Sequence, residues 1–469
     1  MASPADDAYL VSHFINKSVP FKFRGKEFIF DLSQGLFSSA GVDAGTSLLL
    51  SVFSKLIDED KAAGRPLPRR VLDAGCGCGI IGICAAAALA QAQGDMLVRS
   101  QDRDELARLV TLHNAAKNNA APLLEAFTEP LLAVNPGGAW DLILTNIPAK
   151  AGKPVLENFV RRSAQLLNPG GRVILVAVQT LADFFAEQIS AAGLELLQRI
   201  HGSGYTVFAY GQKEPPKTPP PLPSNAGGSD FFARYPFYAR AKAICRIEEI
   251  NVSIDTVYGA SGFDNPGGAV LAAAKLIRGM GPEKFLPVKE LPLLIHEPAQ
   301  GFFPCWLLEF LRQENQPSPA MPSSVMPPSA MPPIPPTLVL SGRNILALEA
   351  AKHNVEGLAC GGARIVPAAD LRLGTAALLE ASSGKKYGCI TAFPELLPQS
   401  SLPKNADQLS ALWDSLPPLL APGGIFIAAF GSSEAERFDR KKPAGYTRLG
   451  SVKRNGFRAL AYRDRLKSD

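Results

Sequence analysis

This chain repeats itself, and a repeated chain must build the same structural unit twice. Leu36–Gly45 (LFSSAGVDAG) resembles Val257–Pro266 (VYGASGFDNP). Further on, DLILTNIPAK (141–150) lines up with YGCITAFPEL (387–396), and LLNPGGRVILVA (166–177) with LLAPGGIFIAAF (419–430). The last match sets GYTVFAY (204–210) against GFRALAY (456–462). Order and spacing persist across all four blocks, which coincidence would not preserve. In this alignment Ala392 stands where the first copy has Asn146.

Two proline-rich stretches frame the copies. Lys213–Asp230 reads KEPPKTPPPLPSNAGGSD, a backbone poor in hydrogen-bond donors, and predicts a semi-rigid linker over 213–229. Gln313–Pro336 ends in PAMPSSVMPPSAMPPIPP and predicts a Pro/Met-rich low-complexity insertion over 313–336. The domains expected from these breaks are 1–212 and 230–469.

Within each copy short β-type runs alternate with Ala/Leu-rich helical stretches. In the first they fall at Arg70–Leu72, Met96–Ser100, Asp141–Leu144, Arg172–Ala177 and Tyr205–Tyr210. Strands separated by helices imply βαβ units, so the expected fold is two tandem Rossmann-like, doubly wound α/β sandwiches with mostly parallel sheets. A composition of 46% hydrophobic and 19% charged residues allows both to bury a core. No apolar run approaches the roughly 18 residues that a membrane helix needs. The opening MASPADD lacks the basic and apolar regions of a secretory signal. Seven cysteines show neither metal-ligand spacing nor a disulfide framework; Cys76 and Cys78 sit between glycines in a turn. A soluble, cytoplasmic protein without metal or membrane partner is expected.

Val71-Leu72-Asp73-Ala74-Gly75-Cys76-Gly77-Cys78-Gly79 follows a strand and precedes an apolar helix. Glycines there let the backbone turn tightly against a ligand, and the helix N-terminus presents free N–H groups. A tight turn with close helix–sheet packing is the alternative. Asp73 ends the strand, where a carboxylate meets a cationic or amine-bearing ligand. Asp102 lies 23 residues beyond Gly79, after the next strand, where an acid accepts both ribose hydroxyls. Acids in both places suit S-adenosylmethionine better than a dinucleotide. Asn146-Ile147-Pro148 ends a third strand. The Asn146 carbonyl and the next backbone carbonyl can accept both hydrogens of a planar amine, aiming its lone pair at an electrophilic methyl group. A strand-ending turn that caps the next helix is the bland alternative.

Taken together, residues 30–211 resemble the class I S-adenosylmethionine-dependent methyltransferases, specifically the small methyltransferase domain family. The resemblance rests on LFSSAGVDAGTSLLL (36–50), DAGCGCG (73–79), DRDELARLVTLHNAAKNN (102–119) and LTNIPAKAGKPVL (144–156). It implies that Thr46, Asp73, Gly75, Gly77, Gly79 and Asp102 contact the cofactor, with Phe127 or Thr128 near its adenine. It also implies that Asn146, Ile147 and Pro148 hold the target amine. The chain departs from the family's Asn-Pro-Pro-aromatic motif twice: Ile147 replaces the first proline, and Ala149 replaces the aromatic that stacks on the base. The family includes tandem ribosomal RNA guanine-N2 methyltransferases whose active copy is the C-terminal one; here the motifs stand in the N-terminal copy.

The second copy reads Leu294-Ile295-His296-Glu297-Pro298-Ala299-Gln300-Gly301 where the glycines stood, and Gly342 where Asp102 stood, so it is expected to be a degenerate fold. Residues 437–469 carry 11 Lys or Arg against three Asp, interleaved with Phe438, Tyr446, Phe457 and Tyr462. Such a surface can bind phosphates and stack on unpaired bases, unless the aromatics belong to buried strands. The resemblance implies methyl transfer to an exocyclic amine of an RNA base, guanine N2 of ribosomal RNA foremost. The partner would be ribosomal RNA or a ribosomal subunit. A protein or small-molecule amine, and a non-catalytic RNA-binding assembly factor, remain as alternatives.

Overall fold

The computed structural model describes residues 3–37, 41–90, 96–132, 139–213, 230–286, 290–314, 337–358, 362–398, 402–403 and 406–465. Residues 214–229 of the expected linker and 315–336 of the expected insertion lie outside them. The chain divides into two units: Met1–Tyr238 with Leu397–Ala406, and Ala239–Leu396 with Asp407–Asp469. Among the described residues no helix is long and apolar enough to cross a membrane, and no His, Cys, Asp or Glu cluster could hold a metal.

The first unit opens with α1 (Pro4–Phe14) and an antiparallel hairpin, β1 (Lys17–Phe23) and β2 (Lys26–Leu32). Then come α2 (Ala44–Ala62), β3 (Arg70–Ala74), α3 (Ile80–Leu89), β4 (Leu97–Asp102), α4 (Glu105–Lys117) and β5 (Leu124–Thr128). The rest is β6 (Trp140–Asn146), α5 (Lys153–Gln165), β7 (Leu167–Val178), α6 (Ala182–Ala191), β8 (Leu194–Gly202) and β9 (Tyr205–Gln212). A short α7 (Phe231–Arg234) buries Phe231 and, with Tyr235 and Tyr238, belongs to this unit. The sheet order is β5-β4-β3-β6-β7-β9-β8. Its first five strands are parallel, and β9 runs antiparallel to both of its neighbours, β7 and β8. Interior strands covered on both faces must be apolar throughout, and Ile143, Leu144, Val173, Ile174, Leu175 and Val176 are fully buried. The order reverses between β3 and β6, so a crevice opens at the carboxyl ends of those strands.

The second unit repeats this plan with its own hairpin, β10 (Ala239–Ile247) and β11 (Ile250–Val257). Next are α8 (Gly268–Met280), α9 (Pro282–Phe285), β12 (Leu293–His296), α10 (Phe302–Glu314), β13 (Leu338–Gly342), α11 (Ile345–Glu356) and β14 (Ala363–Pro367). It ends with α12 (Thr375–Ala381), β15 (Tyr387–Ala392), α13 (Gln408–Asp414), α14 (Leu416–Leu419), β16 (Leu420–Gly431), α15 (Ser432–Arg440), β17 (Tyr446–Arg454) and β18 (Phe457–Asp464). Its sheet runs β14-β13-β12-β15-β16-β18-β17, the same order. Both units are Rossmann-like α/β folds.

Register refines the sequence alignment. β3 sets Asp73 opposite Leu144 and β12 sets Ile295 opposite Thr391, so Asn146 corresponds to Phe393, one residue beyond the expected Ala392. The first block slips by three. Asp31 pairs with Ser18 as Asp255 pairs with Lys242, and α2 and α8 are capped at Asp43 and Gly267. Gly267, not Asp264, is therefore the counterpart of Asp43.

A polar clasp, unread in the sequence, is also duplicated. Asn114 on α4 accepts from the Asp31 N–H (2.8 Å) and donates to the carbonyls of Asp31 and Cys78 (both 2.9 Å). Asn354 on α11 does the same with Asp255 and Gln300 at 2.8, 2.9 and 2.9 Å. His113 Nε2 lies 2.7 Å from Asp31, and His353 Nε2 lies 3.3 Å from Asp255. Each His-Asn pair ties a hairpin to the helix beside the glycine turn. In the first unit Asp7 of α1 and Lys117 join the clasp.

Burial opposes ionisation of Asp31, but bonds from His113, Lys117 and Ser18 hold its carboxyl well below the usual range. Bonding to Asp31, against burial and helped by Asp7, raises the His113 imidazole above 6.5. The His113 contribution is complete below its unfolded value and fades as pH rises through the folded one. The Asp31 contribution is complete above 3.8 and fades as pH falls through its depressed value. Thermal melts across neutral and alkaline pH should therefore show a loss of about 1–3 kcal/mol that His113→Ala abolishes. An identical pH profile for the two proteins would contradict the clasp.

The basic C-terminal region proves structural in large part. Phe438, Tyr446 and Tyr462 are buried around Trp413, with ring centroids 4.4, 5.0 and 4.9 Å from it. Arg437, Lys441, Arg448, Arg454 and Arg458 are paired with Glu434, Asp407, Asp439, Glu248 and Glu436. Strand alternation turns Tyr446 and Tyr462 inward and the buried face of α15 does the same for Phe438, so three of the four rings are core.

Candidate cofactor and amine site

At the head of the crevice the β3–α3 turn holds Gly75, Gly77 and Gly79 at φ +84°, +55° and +82°, conformations that side chains disfavour. The N–H groups of Gly75 and Cys76 both donate to the Gln101 carbonyl, fastening the turn to β4. A Cβ on Gly77 would meet open space, whereas one on Gly75 would touch only Leu131 at 3.8 Å. Gly75 and Gly77 thus leave a cradle, whereas Gly79 packs against α4, where a Cβ would sit 2.9 Å from the Thr111 side chain. Burial pushes the thiols of Cys76 and Cys78 up, so neither is a thiolate nucleophile.

Asp73 is fully buried. Its Oδ2 accepts from the Gly82 N–H at 2.9 Å, while Oδ1 has no partner among the described residues. Burial, with a lesser push from Asp102, raises its pKa to about 7 against the Gly82 bond. An orphaned carboxylate oxygen is costly without a cation to meet it. Asp102 Oδ2 accepts from the Gly77 N–H (3.0 Å) and Oδ1 from the Asp104 N–H (3.1 Å). Each oxygen keeps a further lone pair for hydroxyl donors. Burial and Asp104 raise its pKa also. A cradle between two such acids fits a ligand that is cationic at one end and carries vicinal hydroxyls at the other.

Asn146 ends β6, two residues beyond the partner of Asp73, which places the two Cα atoms about 8 Å apart. The Asn146 amide nitrogen donates to Asp43 (3.2 and 3.3 Å) and to Thr46 Oγ1 (3.0 Å). Asp43 in turn caps α2, accepting from the N–H groups of Gly45 and Thr46 and from the Thr46 hydroxyl (2.6 Å). These bonds fix the amide so that its carbonyl is the free end. Asp43 escaped the sequence reading, although Asp-x-x-Thr at a helix start is a recognisable cap. Replacing it by Ala should release the amide and lower transfer about tenfold in kcat without weakening cofactor binding. Unchanged kcat in a kinetic assay of Asp43→Ala would rule that orienting role out.

The remaining expected residues are less central. Ile147 is buried, and its N–H donates to the Val176 carbonyl (3.2 Å), a bond that proline could not make. Pro148 and Ala149 are exposed beyond it. The Arg99 guanidinium covers the Phe127 ring, 3.5 Å from its centroid, and the Thr128 hydroxyl donates to Glu105. Thr128 nevertheless lies opposite Asp102 in the sheet, and Leu131 lies over Gly75.

The second unit retains the backbone of this site without its chemistry. Glu297, Ala299 and Gly301 keep the left-handed sequence at φ +56°, +48° and +109°. Ile295, Gly342, Gly267, Val270 and Phe393 occupy the places of Asp73, Asp102, Asp43, Thr46 and Asn146. The Glu297 carboxylate accepts from the Arg343 N–H and lies against Gly342, filling the cradle. Burial lowers His296 to about 4, leaving it neutral beside Ser341.

Residues 27–203 match the family model described as the methyltransferase small domain. Over 176 residues the chain is 30% identical to the Uncharacterized protein YbxB of Bacillus subtilis (strain 168), covering 36% of this chain and 81% of that protein. It is 35% identical over 147 residues to Ribosomal RNA small subunit methyltransferase C of Hahella chejuensis, covering 30% of this chain and 38% of the relative. It is 33% identical over 163 residues to Ribosomal protein L11 methyltransferase of Syntrophotalea carbinolica, 34% of this chain and 48% of the relative. The chain thus spans half or less of these last two. The T. thermophilus 16S rRNA N2 methyltransferase, solved in complex with AdoMet and guanosine, superposes with a TM-score of 0.56 at 15% identity. That match covers 97% of this chain and 100% of the other.

Proposed function

Since this chain belongs to the methyltransferase small domain family of S-adenosylmethionine-dependent methyltransferases, we propose that its first unit methylates an exocyclic amine of an RNA base, guanine N2 of ribosomal RNA foremost. S-adenosylmethionine, when bound, supplies an electrophilic methyl group on a sulfonium. Asp73 would hold the cationic end, Asp102 the ribose hydroxyls, and the turn at Gly75 and Gly77 would make room for the backbone's close approach, with Gly79 seating the turn against α4. Thr46 would act through Asn146 rather than on the cofactor. The Asn146 carbonyl and the Ile147 carbonyl would each accept one hydrogen of the amine, turning its lone pair toward the methyl group.

One observation carries this reading: the Asn146 amide nitrogen is consumed by Asp43 and Thr46, which leaves its carbonyl as the acceptor. An amide carbonyl at that point accepts from the N–H groups of an amine and removes no proton, so it suits an amine nucleophile better than a hydroxyl that needs a base. The ribosomal RNA assignment leans on the similarity to a small-subunit ribosomal RNA methyltransferase and to the guanosine-bound structure. A base inside a duplex hides its amine, so the target must be unstacked. Digestion of methyl-labelled RNA to nucleosides should yield N2-methylguanosine; N6-methyladenosine would move the target to adenine.

Methyl transfer to a protein amine is the second reading. It is favoured by the ribosomal-protein methyltransferase relative and by the lack of an aromatic at Ala149.

A further inference from the structure

We infer that Tyr205 is the platform on which the target base stacks, replacing the ring that the chain lacks at Ala149; this deepens the RNA reading above and rests on it. Sheet register places the ring on the right face. Asn146 lies opposite Val176, Val176 and Val178 share a face two residues apart, and Val178 lies opposite Tyr205. Directly opposed residues point the same way, so the side chains of Asn146 and Tyr205 emerge from one face of the sheet.

Both side chains flank the first turn of α2. Asn146 bonds to Asp43 and Thr46 there. The Tyr205 ring lies against Gly45, the residue before Thr46, so closely that a Cβ would sit 2.7 Å from Cδ1. Glycine at 45 is what lets the ring close on the helix. The Ser203-Gly204 turn, with φ +45° and +82°, fixes the start of β9, and the Gly204 carbonyl accepts from Gln179 at 2.8 Å. The ring is nevertheless only part-buried. In the second unit Phe457 lies on Gly268, one residue earlier on the helix at the counterpart of Ala44, so contact between ring and helix belongs to the fold. The orienting amide does not: Phe393 replaces it there. Only in the first unit do an amine acceptor and an accessible ring share the helix turn. A planar base whose amine meets Asn146 has its face available to Tyr205.

The test is methyl transfer to naked ribosomal RNA as a function of RNA concentration, with cofactor affinity by calorimetry and a melting curve for each protein. Tyr205→Phe keeps the ring; Tyr205→Leu keeps apolar volume against Gly45 without it. Tyr205→Phe should retain the wild-type KM for RNA. Tyr205→Leu should raise it on the order of tenfold with cofactor affinity unchanged, and Ala149→Tyr added to it should restore much of the loss. An unaltered KM in Tyr205→Leu, or equal losses in the Leu and Phe variants, would overturn the inference. If Asn146→Ala abolishes transfer while Tyr205→Leu is normal, the inference alone fails. Wild-type protein that labels no RNA would overturn both.

Discussion

Asn146→Ala should lower methyl transfer by about 10²- to 10³-fold while S-adenosylmethionine binds with unaltered affinity. The amide makes its contacts to Asp43 and Thr46, at 3.0 to 3.3 Å, and none to the glycine turn or to Asp73 and Asp102. Removing it therefore leaves the cradle in place and deletes the acceptor that orients the amine. An amine with a delocalised lone pair is a poor nucleophile, so orientation supplies much of the rate. Asn146→Asp is the sharper variant. A carboxylate there would face the Asp43 carboxylate, and mutual repulsion would displace it. Parallel loss of cofactor affinity and rate in Asn146→Ala would show that the residue serves the cofactor instead.

The second large effect concerns pH and cofactor affinity. Asp73 is held near pKa 7 by burial, with one oxygen unpartnered. A cation brought against it favours the ionised form, so binding expels the proton that the free protein carries below about 7. Affinity should therefore fall as pH drops, approaching tenfold per unit well below 7, and level off above it. Asp73→Asn should bind weakly at every pH and lose this slope. The same raised value makes the free protein's stability decline as pH rises from 3.8 through about 7, so ligand-induced thermal stabilisation should be greatest in mild alkali. A flat affinity profile between pH 5.5 and 8 in calorimetry would exclude a cationic ligand at Asp73.

What could be read from the sequence was whatever depends on short stretches of chain. The glycine turn, its flanking acids, Asn146 at a strand end and the βαβ alternation all declare themselves within a few residues. Asp43 did not, because its task is exercised on Asn146, 103 residues away. The clasp was equally hidden, although His113-Asn114 and His353-Asn354 stand at matching places. Its meaning lies in bonds to Asp31 and Asp255, each more than 80 residues distant.

Misalignment had a physical source too. Identity of Thr145 with Thr391 drew Asn146 onto Ala392, but strand register is set by hydrogen bonds to neighbouring strands, which put Phe393 there. Charge likewise misled at 437–469. Composition shows neither that Trp413 collects three of the aromatics nor that five cations already have acidic partners. Tyr205 is therefore the aromatic we would examine first for base stacking.

The first unit is proposed to transfer methyl groups to RNA through Asn146. Incubation with methyl-tritiated S-adenosylmethionine, offered separated ribosomal subunits, naked ribosomal RNA and total protein in parallel, tests it directly. Label should enter RNA with the wild-type chain and fall to background with Asn146→Ala. Label confined to protein, or RNA label that survives Asn146→Ala, would contradict it.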